Sequence, residues 1–476
     1  MKAKKCLQGQ PTALLLAVAL IAAGAGVLFS GRVSTGALTA MAQTELRRFT
    51  GQPQLLAVQP LPGMAGEMCE WETASAPLSL QASLQQSQSP TTSELGLTAG
   101  QVAEMSQRKP LRMIKDSYPA YSQIAVDLVN DEVVVTDESL FQILVYDRNE
   151  NTPPTAAMSE PKRILGGTET SIEYQCGVYV DQATGDIYAV NNDTVDKLVI
   201  FSRDKKGNVP PNRIINTPHT TYGIAVDETR QELFLTSQES SAITVYRKLA
   251  GEDEAPVRLL QGDKTLLADP HGIAIDSTRR LLFVSNFGNT STKDQSASSG
   301  GGFGDSDKAN WPMARGEAVP GTGRFTGASI TVYPVDAAGD VAPIRVLKGP
   351  KAQLSWPTAM AVDPAKGDLY VANDTGDSIL VFNVMDQGDV APRRVIQGPK
   401  SMVKSPTGVY FDAKHNEVWV SNFGNHSATV YPADANGDVA PLRVIRSAPL
   451  DLGTPNIGNG YAPAYDSKRD QILVPN

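Results

Sequence analysis

The segment PHGIAIDSTRRLLFVSN, residues 270–286, returns in altered form as PTGVYFDAKHNEVWVSN at residues 406–422. Each copy is an apolar run closed by aspartate, a polar turn, and a second apolar run closed by asparagine. Runs so rich in β-branched and aromatic residues, bounded by turn formers, read as two antiparallel strands. The unit recurs along the chain, with first-strand aspartates at Asp127, Asp181, Asp227, Asp276, Asp363, Asp412 and Asp466. Ten residues after each comes a second marker: Asp137, Asn191, Ser237, Asn286, Asn373, Asn422 and Asn476. A fixed offset repeated this often is a structural repeat.

A third apolar run follows in most units, as ILVY, LVIF, ITVY, ILVF and ATVY. A turn then leads to a fourth, plainest in APVRLL, APIRVL, APRRVI and APLRVI. The proline that opens this last run is tolerated on a sheet edge, which places the fourth strand outermost. Four strands per unit with the last outside describe a blade, and the repeat predicts an all-β, seven-bladed β-propeller, with six blades as the alternative. The motif Pro-x-Arg falls at Arg112, Arg163, Arg213, Arg258, Arg345, Arg394 and Arg443, so its first copy precedes any first strand. The chain also ends after two strands of the seventh unit. Residues 109–114 (KPLRMI) are therefore expected to give the outer strand of a blade shared by both ends of the domain, with LAVQP at 56–60 as its third strand, which removes open edges.

Between the second and third strands of the fourth unit lies a 38-residue insert, 290–327, whose SSGGGFGD composition and scattered Trp311, Met313 and Phe325 mark a loop decoration. Residues 109–476 form the propeller in this reading, 43–108 a linker, and 1–42 a signal or membrane anchor. Lys2, Lys4 and Lys5 precede the uncharged run 12–30, which matches a signal or spanning helix with its basic flank inside. The propeller is thus expected outside the cytoplasm, membrane-anchored, or secreted or periplasmic if cleavage follows Ala40-Met41-Ala42. A net charge of −9 argues against nucleic acid as partner. Of three cysteines, Cys6 precedes the apolar run, and Cys69 and Cys176 remain as a conceivable pair.

The repeat units resemble the NHL repeat, and LYVAN is similar to the YVTN-type repeat of bacterial exported propellers. The resemblance covers roughly residues 109–476 and implies a ring of six blades in the first family or seven in the second. It leaves function open, since such rings include binding scaffolds and also metal-dependent lyases and lactonases whose ion sits in the central channel.

In a propeller, the loop entering each first strand opens on the channel mouth. Five residues before each first-strand aspartate stand Ser122, Cys176, Tyr222, His271, Thr358, Thr407 and Tyr461, which form the predicted ligand-binding ring. One histidine and one cysteine are too few for zinc. Side chains of the Asn/Asp series at the second-strand ends suit Ca²⁺, yet turn capping explains their regularity more simply. The same holds for Asp434-Ala435-Asn436-Gly437-Asp438, which is placed at a hairpin turn. His219, His415 and His426 are placed in loops, and the Pro-x-Arg arginines on outer edges as charges that block sheet pairing. These readings favour a non-catalytic module that binds a protein or small-molecule ligand, with no cofactor predicted beyond a possible divalent cation. A metal-dependent lactonase- or lyase-like enzyme is the alternative.

Overall fold

The computed structural model describes residues 118–450, apart from 193, 194 and most of 292–321, and short pieces between 464 and 473. Six four-stranded antiparallel sheets, spanning 121–166, 175–216, 221–261, 270–347, 357–396 and 406–446, follow one another as blades 1 to 6. Each is one uninterrupted run of chain in meander order. The first strands are Tyr121–Asp127, Gln175–Val180, Thr221–Asp227, Pro270–Asp276, Pro357–Asp363 and Pro406–Asp412.

Both faces of the inner strands are apolar, because each blade packs against one neighbour on either side. In the second strand of blade 6, Val418 and Val420 turn towards blade 5 while Trp419 turns towards blade 1. Six buried clusters result, one at each junction, including the one where Trp419, Ala428 and Val430 of blade 6 meet Tyr121, Val126 and Val133 of blade 1.

That junction corrects the blade count. The ring closes with six blades, and among the described residues no strand is shared between the two ends of the domain. The described part of the seventh unit is a two-stranded hairpin, Ala464–Asp466 with Gln471–Leu473. Residues 109–114, Leu56–Pro60 and the N-terminal apolar run lie outside the described residues. Among the described residues, no helix is long and apolar enough to cross a membrane.

Hydrogen bonds show why six units suffice. Near the channel, Ser122 Oγ donates to the Gln175 carbonyl (2.6 Å) and Asn192 Nδ2 to that of Thr221 (3.1 Å). Thr236 Oγ1 reaches His271 O (2.7 Å), Ser285 Oγ reaches Pro357 O (2.8 Å) and Thr358 Oγ1 reaches Pro406 O (3.1 Å). The series ends where it began, as Thr407 Oγ1 donates to Tyr121 O (3.2 Å) and Ser421 Oγ to Ser122 O (3.1 Å). At the periphery, the turn before each fourth strand pairs with the preceding blade's outer strand. Gly437 N donates to Val395 O (2.6 Å), and at the closing junction Thr152 N donates to Val444 O (2.7 Å). Each of the six blades therefore finds a neighbour on both sides among residues 118–450. A chain ending at residue 450 is expected to melt within about 2 °C of the full-length protein. A large drop in thermal midpoint, followed by circular dichroism, would return the C-terminal hairpin to the ring.

Two groups of polar residues are turn caps. Asp127 Oδ1 accepts from Val129 and Asn130 N–H, and Asp412 Oδ1 from His415 N–H. At the second-strand ends, Asn286, Asn373 and Asn422 each accept with Oδ1 from an amide of the loop entering the same blade. Asp438 Oδ1 likewise takes Lys400 N–H and Ser401 N–H, so the 434–438 turn uses this oxygen to strap blade 6 to the outside of blade 5.

The Pro-x-Arg arginines of the six blades do not form an exposed belt. Arg163 forks onto Glu132 (2.9 and 2.8 Å), Arg258 onto Glu232 and Arg443 onto Glu417. Arg394 Nη2 donates to Asp368 Oδ2 (2.8 Å). On the way the guanidinium crosses an aromatic face, 5.3 Å from the Trp419 centroid for Arg443 and 5.7 Å from Phe234 for Arg258. Blade 4 has Leu281 in the acidic position, and there Arg345 Nη2 donates to the Val384 carbonyl instead.

Candidate functional site: the channel mouth

The residue before the first strand is left-handed in five blades: Tyr174, Thr220, Asp269, Trp356 and Ser405, with φ between 40° and 57°. This bend presents the entry loop to the residue that leaves the second strand. Its carbonyl accepts the N–H of Asn192, Gln238, Phe287, Asp374 and Phe423 respectively, and in blade 1 Ala120 O accepts from Glu138. These six residues form a ring around the mouth that the sequence reading missed. They sit one position beyond the second-strand marker, so the repeat itself contained the signal.

Six of the seven predicted ring residues, Ser122, Cys176, Tyr222, His271, Thr358 and Thr407, lie at equivalent places on the first strands. Tyr461 is outside the described residues, as is Cys69. The six have different roles. Ser122, Thr358 and Thr407 are buried and donate to the backbone of the next blade. Cys176 Sγ lies 3.4 Å from both Glu138 Oε1 and Tyr174 O and donates towards them.

Tyr222 and His271 do more. Gln123 Nε2 of blade 1 donates to the Thr407 backbone carbonyl of blade 6 (2.5 Å). Burial raises the Tyr222 pKa well above the usual phenol range, with Cys176, Glu138 and Asp374 adding to the effect and the Gln123 side chain lowering it.

Glu138 is pushed up to about 7, chiefly by burial, against a bond from Cys176 and helped by the charges of Asp137 and Asp374. Asp374 rises to about 6, again chiefly through burial, with a Ser405 hydrogen bond opposing the rise. The nearby Lys404 Nζ is 2.7 Å from Asp377 Oδ2.

An aromatic row runs alongside. Tyr222 and His271 have ring centroids 4.4 Å apart, His271 stacks on Phe287 at 16°, and Phe287 meets Trp356 edge-on at 4.6 Å. Phe287 is buried, whereas Trp356 is 51% exposed. His271 Nδ1 faces the Asp269 carbonyl at 3.1 Å and Nε2 meets Gln238 Nε2, so both ring nitrogens are engaged. Burial takes its pKa down to about 3 and keeps the ring neutral. Among the described residues, no three His, Cys, Asp or Glu side chains gather where one metal ion would reach them.

The insert leaves this face as a ribbon, with Asn289–Thr290 pairing with Arg324–Phe325 and Lys293–Asp294 with Glu317–Ala318. Asn289 Nδ2 donates to Asp269 Oδ2 at its base, and Phe325 is 73% exposed.

No known family profile matches this chain, and no curated protein sequence does. Among solved structures, hydrazine synthase of Kuenenia stuttgartiensis aligns at 12% identity with a TM-score of 0.44, covering 69% of this chain and 100% of that one. A chain of the nidogen/laminin complex aligns at 14% identity with a TM-score of 0.42, covering 69% and 93%. The six-bladed ring described above rests on its own strand pairing.

Proposed function

We propose that this protein is a non-catalytic binding module, an NHL- or YVTN-like propeller working outside the cytoplasm, and that its ligand sits at the channel mouth. The observation that supports this most is the aromatic row at the mouth, in which Tyr222 of blade 3, His271 and Phe287 of blade 4 and the half-exposed Trp356 at the entry to blade 5 follow one another ring to ring. Aromatic side chains from three successive sectors, lined up at a concave opening and ending in an exposed tryptophan, suit ligand recognition. A neutral His271 with both nitrogens engaged suits binding better than proton transfer. The metal-dependent lactonase- or lyase-like alternative has no comparable observation in its favour.

A thermal-shift screen of small molecules tests the reading. Hits are expected to be lost in Trp356→Ala, to survive in Leu249→Ser at the far end of blade 3, and to be recovered chemically unchanged. Hits that ignore Trp356 and vanish with Leu249, or that are converted, would overturn it. Export rests on the basic, apolar start of the sequence, and a C-terminal reporter active only in the cytoplasm would contradict it if it gave signal.

A further inference from the structure

Resting on that reading of the mouth, we infer that the ligand is a neutral oligosaccharide, laid across the opening with one sugar ring on Trp356 and another towards Tyr174. The repeat supplies the first argument. The left-handed residue before the first strand is Thr220, Asp269 or Ser405 in three blades, but Tyr174 in blade 2 and Trp356 in blade 5. A bulky ring at positive φ is costly to the backbone, and strain of that kind gathers at functional positions. Each of the two rings is braced edge-on by a phenylalanine, Phe141 at 4.8 Å for Tyr174 and Phe287 at 4.6 Å for Trp356. Blades 2 and 5 stand three places apart in a ring of six, so the two aromatic residues lie on opposite sides of the channel.

The surroundings of Trp356 select the chemistry. The ring is half-exposed, while its neighbours are polar: the Ser355 and Thr375 hydroxyls share a hydrogen bond at 2.6 Å, and Asp374 N–H donates to Trp356 O at 3.2 Å. A chain of hydrogen-bonding groups accompanies the rest of the aromatic row. Asn289 Nδ2 donates to Asp269 Oδ2 (2.9 Å), His271 Nδ1 faces Asp269 O, Gln238 meets His271 Nε2, and Asn192 Nδ2 donates to Gln238 Oε1 (2.7 Å). A lipid or aliphatic ligand would want apolar walls, which a flat ring set among hydroxyls, amides and carboxylates does not give. A pyranose needs the opposite: an aromatic ring for its flat C–H face, and amides and carboxylates to exchange hydrogen bonds with the hydroxyls around its edge.

The test titrates the full-length protein with cellotetraose, laminaritetraose and chitotetraose by isothermal calorimetry. Sorbitol, which keeps the hydroxyls without a ring, and cyclohexanol, which keeps a ring with little else, are the counterparts. At least one tetrasaccharide is expected to bind, more tightly than its monosaccharide, with an affinity that added salt leaves unchanged because no charge is neutralised. Trp356→Asn suits the left-handed backbone and should melt within about 2 °C of wild type. It should nevertheless weaken the tetrasaccharide about tenfold or more, while Trp356→Tyr keeps most of the affinity. Tyr174→Asn tests the far side independently and should weaken the tetrasaccharide but not the monosaccharide. Failure of all three tetrasaccharides to bind, or sorbitol binding as well as they do, would overturn the proposal. Binding of cyclohexanol alone, lost in Trp356→Asn, would overturn the sugar and leave the mouth as the binding site. Oligosaccharide binding that ignores both Trp356 and Tyr174 would overturn the mouth as well.

Discussion

Gly223→Val is expected to prevent the ring from closing properly. A Cβ built on Gly223 would lie 2.3 Å from the carbonyl oxygen of His271 in the next blade, and 3.1 Å from both Ile273 Cγ2 and Thr236 Oγ1. The nearest obstacle is backbone, so no rotamer change relieves it. The same oxygen accepts the Thr236 hydroxyl that bridges blades 3 and 4, and pushing the blades apart would break that bond too. Overpacking of this kind costs about 3 kcal/mol, the upper end of its usual range, which lowers the midpoint of a domain this size by about 4 °C. Gly251→Ala is the matched control, since a Cβ there meets nothing within 4 Å. A Gly223→Val protein that melts within about 2 °C of wild type would mean that the blades are not packed this closely.

The second large effect is expected from Glu132→Gln, far from the mouth. Only 2% of this side chain is accessible, and Arg163, Lys162 and Arg203 all converge on it within 3.1 Å. Burial works against its charge, but the hydrogen bonds and charges of Arg163 and Lys162 outweigh that and hold its carboxyl down at about 2. Removing the charge leaves Arg163, itself mostly buried, without its counterion, at a cost of about 3 kcal/mol, the lower end for a broken buried pair. The pH dependence has a definite sign. A depressed carboxyl stabilises the fold above its unfolded value near 4.5, and this contribution is lost as pH falls towards 2. Wild type should therefore lose stability over that interval, while Glu132→Gln, already destabilised at neutral pH, should lose less. Parallel pH–stability curves for the two proteins would contradict the role given to Glu132.

Much of this architecture could be read in the sequence because local chemistry repeats with it. The first-strand aspartate caps its own turn and the asparagine ten residues later caps the entry loop, so both stay where the backbone needs them. The blade count went astray at the ends. PAYD and KPLRMI have the local signals of a first and a fourth strand, but strand signals do not say whether a neighbour remains to pair with. That was decided by Thr407, Ser421 and Val444 meeting blade 1, contacts nearly 300 residues apart in the chain. The arginines were misplaced for a related reason. Pro-x-Arg looks like an edge charge until the acidic residue 26 positions earlier, Glu232 for Arg258 or Glu417 for Arg443, is read with it.

The mouth was harder still. Its first-strand residues were found by position, but Glu138 and Asp374 stand at one repeat position that elsewhere holds Asn192, Gln238, Phe287 and Phe423. A repeat that varies so much in chemistry is not seen by looking for sameness. Their elevated pKa values arise from burial between blades, which no linear reading contains.

The closing junction also bears on how this polypeptide could be rewired. Ser447 Oγ donates to the Pro119 carbonyl (2.6 Å), and His426 Nδ1 meets the same oxygen at 2.8 Å, so the strand path enters and leaves the ring at one point. With every blade formed from consecutive residues, the order of sectors is cyclic and its starting point arbitrary. Joining 447 to 119 through a short linker would allow the chain to be opened at any turn between a first and a second strand. Such circular permutants would keep all six junctions, and they would move both termini to the face opposite the mouth, leaving it unobstructed.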